Sequence, residues 1–189
     1  MAESKQITES KENMLNVGIP HLRDQKKKIR KQKPFNMEAI IGDLMDYSVL
    51  ETEEIIVEII TDDDSRIKEL IIYDKSENGW ENLDKEGCKN PLNMAHVNNN
   101  HNDDEKESTF GEGFKKAFMK IFNYLEINTY AHYKGKKQYI KVKLDLDEMS
   151  NKNAINSYNP TIEIITKKQF KNNHNFKQGS SMIFKNPTY

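Results

Sequence analysis

Apolar residues recur along this chain in two rhythms, one near 3.6 and one of two, and their order predicts its elements. Met37, Ile40, Ile41, Leu44 and Met45 fall at i, i+3, i+4, i+7 and i+8. A helix is therefore expected to open at Pro34 with one apolar stripe, and Asp43, Asp46 and Tyr47 lie on an adjoining face. Glu53–Thr61 and Ile67–Asp74 are rich in isoleucine and separated by Asp62-Asp-Asp-Ser65, which predicts a hairpin with an acidic tip. Lys75 to Gly79 reads as a turn. The pattern fades from Glu81 to Thr109, where Asn98–Glu107 is a wholly polar loop. A loop of this length in a compact domain is usually functional or disordered. Helical spacing returns at Phe114, Ala117, Phe118, Ile121, Phe122 and Leu125, with Lys115, Lys116 and Lys120 off the stripe. Further β-like stretches follow at Leu125–Tyr133, Gln138–Leu144, Thr161–Thr166 and Ser181–Lys185. This order predicts an α+β fold, a two-layer α/β sandwich whose helices cover one face of a mostly antiparallel sheet.

Composition narrows the class. The chain has 189 residues, enough for one domain with its own core, and a formal net charge of −1. Charge near zero gives no general argument for nucleic acid or membrane. Residues 1–33 carry no apolar periodicity and read as a polar, basic, disordered arm; residues 34–189 read as the domain. The arm ends in Arg23–Lys33, with seven basic residues and one acidic. Such a run suits a solvated leader, a nuclear-import signal, or an arm that contacts nucleic-acid phosphates. A lone cysteine, Cys88, cannot form an internal disulfide and fits a reducing compartment. The N-terminal stretch lacks the apolar core of a signal peptide, and no apolar run approaches the ~20 residues of a membrane span. The expectation is an intracellular protein, cytoplasmic or nuclear, with no membrane partner.

Four local features carry chemistry. Asp43 is an acid on a helix. Asp74 ends a strand and precedes a turn containing Gly79. Phe110-Gly-Glu-Gly-Phe-Lys-Lys-Ala117 opens a helix after the polar loop. Gly179-Ser180 precedes the last strand. Glycines at a helix mouth let backbone N–H groups approach a phosphate, and the helix dipole favours an anion there. Lys115 adds a point charge. A strand-end carboxylate accepts a hydrogen bond from an amino group, and an acid on a helix orients a water for attack. Singly, each feature has a plainer reading: a tight loop, a turn-starting aspartate, a solvated helix face. No G-x-x-x-x-G-K-[ST] is present, so a P-loop is excluded. His96, His101, Asp103 and Asp104 suit a solvated loop better than a metal site. Trp80 and Tyr73 read as core residues near the second feature.

In their order, the four features resemble the motifs of the Bergerat-fold GHKL ATPases (gyrase B, the ninety-kilodalton heat-shock chaperone, histidine kinases and MutL), the Microrchidia (MORC) type above all. Ile41-Gly-Asp-Leu-Met-Asp-Tyr-Ser-Val49 resembles the box E-L-I-D-N-S. Ile72-Tyr-Asp74 with Gly79-Trp80 resembles D-x-G-x-G-M. Phe110–Ala117 resembles F-G-x-G-x-K-x-A, and Gly179-Ser180 resembles the closing G-T. The resemblance spans residues 35–185. It implies an ATP site formed by Asp43, Tyr47, Asp74, Gly79, Thr109, Phe110, Gly111, Gly113, Phe114, Lys115 and Ser180, with Asp43 in the catalytic position. It also implies that Asn98–Glu107 is the ATP lid, ordered by nucleotide, and that nucleotide binding drives homodimerisation.

The departures bear on chemistry. Asp43 is one methylene shorter than the family's glutamate, and a displacement near 1 Å can cost ~100-fold in rate. Tyr47 stands where the family has its magnesium-binding asparagine, and a phenol with a pKa near ~10 is a poor neutral ligand. Asp46 points about 100° away on an ideal helix. Ser76 replaces the second box's first glycine, and Gly79 falls one residue late. These departures disfavour Mg2+ and hydrolysis more than ATP binding. The alternative is a degenerate interaction scaffold that keeps the fold and has lost the nucleotide.

Overall fold

The structure, a computed structural model, describes residues 26–31, 38–39, 41–45, 52, 54–84, 92, 109–151, 160–172 and 179–188. Six strands form one sheet: β1 Ile55–Thr61, β2 Ile67–Asp74, β3 Phe122–Tyr133, β4 Lys136–Asp145, β5 Thr161–Ile164 and β6 Ser180–Pro187. Their order is β1-β2-β6-β3-β4-β5, and every pair is antiparallel. The described helical segments are α1 (residues 26–31), α2 (residues 41–45), α3 (Thr109–Ile121), α4 (Leu146–Asn151) and α5 (Lys167–Asn172). The α+β expectation holds at this level. No helix among the described residues is long and apolar enough to cross a membrane.

Turn chemistry sets the two hairpins. Asp62 Oδ1 accepts hydrogen bonds from the Asp64 and Arg66 amides, at 3.0 and 2.8 Å, and so closes the acidic tip between β1 and β2. Between β3 and β4, Lys134 and Gly135 both have positive φ, 52° and 77°. Two such residues in succession match the twist of the strands they join.

Strand alternation sends one residue set under the helices. Across the sheet, Leu70, Phe184, Leu125 and Leu144 form one row, and Ile72, Met182, Ile127 and Val142 the next. All eight are buried in the main core. The rings of Phe114 and Phe118 on α3 pack on Phe184, with centroids 6.1 Å away in each case. Leu44 of α2 is buried in the same cluster, with Ile41 and Met45 against it. Thus α2 and α3 lie on one face, as their stripes predicted. Burying a ring such as Phe118 stabilises by about 1.5–3 kcal/mol over leaving it exposed.

Three expectations need correction. Residues 26–31 are not a solvated leader: they are helical, and Ile29 is buried in the core. Phe122 and Leu125 belong to β3 and not to the preceding helix, because α3 stops at Ile121 and the chain passes straight into the strand. Helices do not cover one face alone. Phe170 of α5 is buried against Tyr139 (4.9 Å), which packs on Tyr130 (4.5 Å) on the reverse face.

Elsewhere on that reverse face Lys141 is bonded to Glu126 and Lys143 to Glu163, beside the buried Ile71, Asn128 and Ser181. Tyr73 also lies there, buried, not in the main core, and it donates a hydrogen bond to Glu58. Burial first, and then the Glu58 charge, raise its phenol above the ordinary value. The unfolded chain releases that proton near pH ~10, while the folded chain retains it. The stability linked to Tyr73 is therefore present below about pH 10 and lost as pH rises beyond it. Tyr73→Phe has no such proton, so its stability should fall less steeply above that pH in a urea series. A slope equal to the parent's would show that Tyr73 is not the titrating group.

Candidate functional site

The two apolar rows are followed by a polar one. Asp74, Ser180 and Thr129 are register partners across β2, β6 and β3, on the face that carries the core. All three are 0% exposed. A carboxylate is costly to bury unless it is hydrogen-bonded, and this one is. Asp74 Oδ1 accepts from the Ser180 amide (3.0 Å), the Ser76 amide (3.1 Å) and the Ser76 hydroxyl (2.6 Å). The Ser180 and Thr129 hydroxyls are 2.8 Å apart. The Trp80 amide donates to Thr129 Oγ1 at 3.0 Å.

Two glycines make this closeness feasible. Gly79 has φ +60°, and a Cβ there would lie 2.4 Å from Thr129 Oγ1 and 2.6 Å from the Tyr130 carbonyl oxygen. Gly179 has φ +100°, and a Cβ would lie 2.0 Å from the Asp74 carbonyl oxygen. Its own carbonyl accepts from the Tyr130 amide at 3.2 Å.

The helical end of the site forms where α2 meets α3. A Cβ on Gly113 would sit 3.3 Å from Asp43 Oδ1, so the carboxylate rests against the α3 backbone. Thr109, Phe110 and Gly111 occupy the first turn of α3, where amides lack intrahelical acceptors. The Phe114 ring is committed to the core, edge-on to Trp80 at 5.6 Å. Lys115 is 4% exposed, not on a solvated flank, because α3 is buried on more than its stripe: Met119 is 0% exposed.

A continuous line of contacts joins the two ends. It runs from Asp74 through Ser180, Thr129 and Trp80 to Phe114, beside Gly113 and Asp43. Sequence reasoning missed two members. Thr129 had a legible signal, as the one polar residue in the inward series Leu125, Ile127, Thr129, Ala131. Ser76 was read only as a replaced glycine; its hydrogen bonds to Asp74 were not. Tyr47, the loop 98–107, His96, His101, Asp103 and Asp104 lie outside the described residues. Among the described residues, no three His, Cys, Asp or Glu side chains gather as metal ligands. No protein-family model matches the chain, and no curated protein matches it.

Proposed function

We propose that this chain is an ATP-binding domain of the Bergerat-fold GHKL type, MORC-like in its motifs, that binds nucleotide and hydrolyses it weakly or not at all. The observation that carries the reading is the buried polar row Asp74–Ser180–Thr129 in an otherwise apolar face, joined by contact to Asp43 and α3. A buried carboxylate held by three donors is a fixed acceptor, suited to the amino group of adenine. Phosphates would lie at the first turn of α3, where the amides lack intrahelical acceptors and the dipole favours anions. Asp43 would orient a water. Tyr47 is a poor magnesium ligand, and no step is assigned to the metal. Nucleotide binding would favour a homodimer.

One observation favours the second reading, a scaffold without nucleotide. The Ser76 hydroxyl already bonds Asp74 from within the chain. Titration with a fluorescent ATP analogue separates the two. The first reading expects saturable binding, displaced by unlabelled ATP, with the same affinity in magnesium and in EDTA. No saturation in either would leave the scaffold. Binding that required magnesium would overturn the role given to Tyr47.

A further inference from the structure

The two outer strands of the sheet are not alike. β5, at one edge, is four residues long, and its Glu163 is paired with Lys143. β1, at the other edge, is seven residues long, and no strand lies on its outer side among the described residues. About half of the N–H and C=O groups of such a strand point away from its neighbour, so the edge offers a row of open donors and acceptors. Edges are commonly blunted by proline, lysine or short length. Ile55-Ile-Val-Glu-Ile-Ile-Thr61 has neither proline nor lysine. Among the described residues the large apolar side chains left exposed are Ile56 (37%), Ile59 (48%), Ile60 (41%) and Ile164, so three of the four lie on β1. Ile59 pairs with Leu70 on the face that carries the core, while Ile56 and Ile60 pair with Tyr73 and Glu69 on the reverse face. The edge is therefore apolar on both faces. A helix would cover one face, whereas an added strand reaches both and also meets the open backbone.

Charge decides what kind of strand fits. Residues 54–66 hold five acidic side chains, Glu54, Glu58, Asp62, Asp63 and Asp64, and one basic, Arg66. Across the hairpin, Lys75 is spent on Glu54 and Lys68 is exposed; Arg66 lies 3.7 Å from Asp64. We infer that β1 is the docking edge for an extended segment of another protein, rich in β-branched residues and carrying lysine or arginine, which adds to the sheet as a further strand. Its β-branched side chains lie against Ile56, Ile59 and Ile60, one basic residue opposes Glu58, and others meet Asp62–Asp64. A second copy of this chain fits less well. Two copies of β1 paired antiparallel about Glu58 would oppose Ile56 to Ile60 and Val57 to Ile59, but also Glu58 to Glu58 and Glu54 to Asp62. Like charges directly opposite destabilise a strand pair. Nucleotide plays no part in this contact.

The test uses a fluorescent peptide, Lys-Lys-Thr-Val-Val-Lys-Val-Val-Thr, titrated by anisotropy against the full chain without nucleotide. Saturable binding is expected. Further peptides leave the protein untouched. One with glutamate in place of each lysine should not bind. Of two that are N-methylated at odd or at even positions, at least one should fail, because methyl groups facing β1 remove the backbone donors. Glu58→Lys should weaken the lysine peptide by roughly tenfold, since the attractive pair lost and the repulsive pair gained are each worth about two- to fivefold. The same variant should bind the glutamate peptide better than the parent does. No binding of the lysine peptide, undiminished binding of both methylated peptides, or an unchanged affinity in Glu58→Lys would each overturn the inference. So would a nucleotide-free dimer that the peptide dissociates, which would give the edge to a second copy.

Discussion

Gly179→Ala should be the most damaging alanine substitution among the described glycines. Its Cβ would sit 2.0 Å from the Asp74 carbonyl oxygen and 2.8 Å from the carbonyl carbon, at a φ of +100°. Neither obstacle is a flexible side-chain end, so relief requires β2 and β6 to separate. Backbone strain of this kind costs about 1–3 kcal/mol, and overpacking a further 1–3. A loss of at least about 3 kcal/mol is expected in urea denaturation. Gly135→Ala is the control. It has φ +77° but nothing within 4 Å of its Cβ, so it should lose only about 1 kcal/mol. Equal losses in the two variants would mean that conformation alone, and not the contact with Asp74, makes Gly179 necessary.

The position of Gly179 explains why its effect should reach beyond one turn. β6 is the last strand in the chain, yet it lies between β2 and β3 in the sheet. It joins a hairpin made of β1 and β2 to a unit made of β3, β4 and β5. The two hairpins were legible because alternation and turn residues are local. The insertion of β6 between them was not, since pairing Ser180 with both Asp74 and Thr129 depends on contacts more than fifty residues apart. The single-face expectation failed for a related reason. α5 is six residues long, too short for a helical period to stand out. Its start was nonetheless written as a capping box, with the Gln169 amide bonded to Thr166 Oγ1 and the Thr166 amide to Gln169 Oε1. α4 begins in a similar way, with Asp145 Oδ1 accepting from the Asp147 and Glu148 amides.

The candidate site divides along the same line. Asp43, Asp74, Gly113 and Ser180 were singled out from motif order, and each lies on the contact line described above. The bonds that hold them were beyond reach, because a hydroxyl's partner is a matter of tertiary register. Ser76 shows the limit. As a departure from a motif it counts against function, whereas in the fold it supplies two of the three bonds to Asp74 Oδ1. The basic run at Arg23–Lys33 shows the converse. A charge count treats its residues alike, and only the packing of Ile29 decides which cations are spent internally.

Asp74→Asn should weaken ATP binding by roughly one to two orders of magnitude while the fold survives, since a lost buried hydrogen bond costs ~1–3 kcal/mol. The amide keeps one oxygen, which can still accept from Ser76 and Ser180. What it loses is the second acceptor that the adenine amino group would use. Asp74→Ala is the wrong test, because it leaves the Ser76 amide, the Ser76 hydroxyl and the Ser180 amide without their buried acceptor. Each orphaned group costs about 1–3 kcal/mol, so that variant reports stability in place of recognition. Asp43→Ala should behave in the opposite sense. Its carboxylate lies against Gly113, at the far end of the line from Asp74. Binding should stay near the parental level, and any measurable hydrolysis should fall to background. If the two substitutions weaken binding equally, or neither does, the division of roles between base and water is wrong. Tyr47→Asn supplies the reciprocal test. It introduces the asparagine that the proposed family has as its magnesium ligand, so magnesium-dependent turnover should appear if the proposal holds and the rest of the site is whole. No gain in that variant, with ATP still bound, would mean that the shorter reach of Asp43 limits the chemistry, and Asp43→Glu in the same background should then supply it.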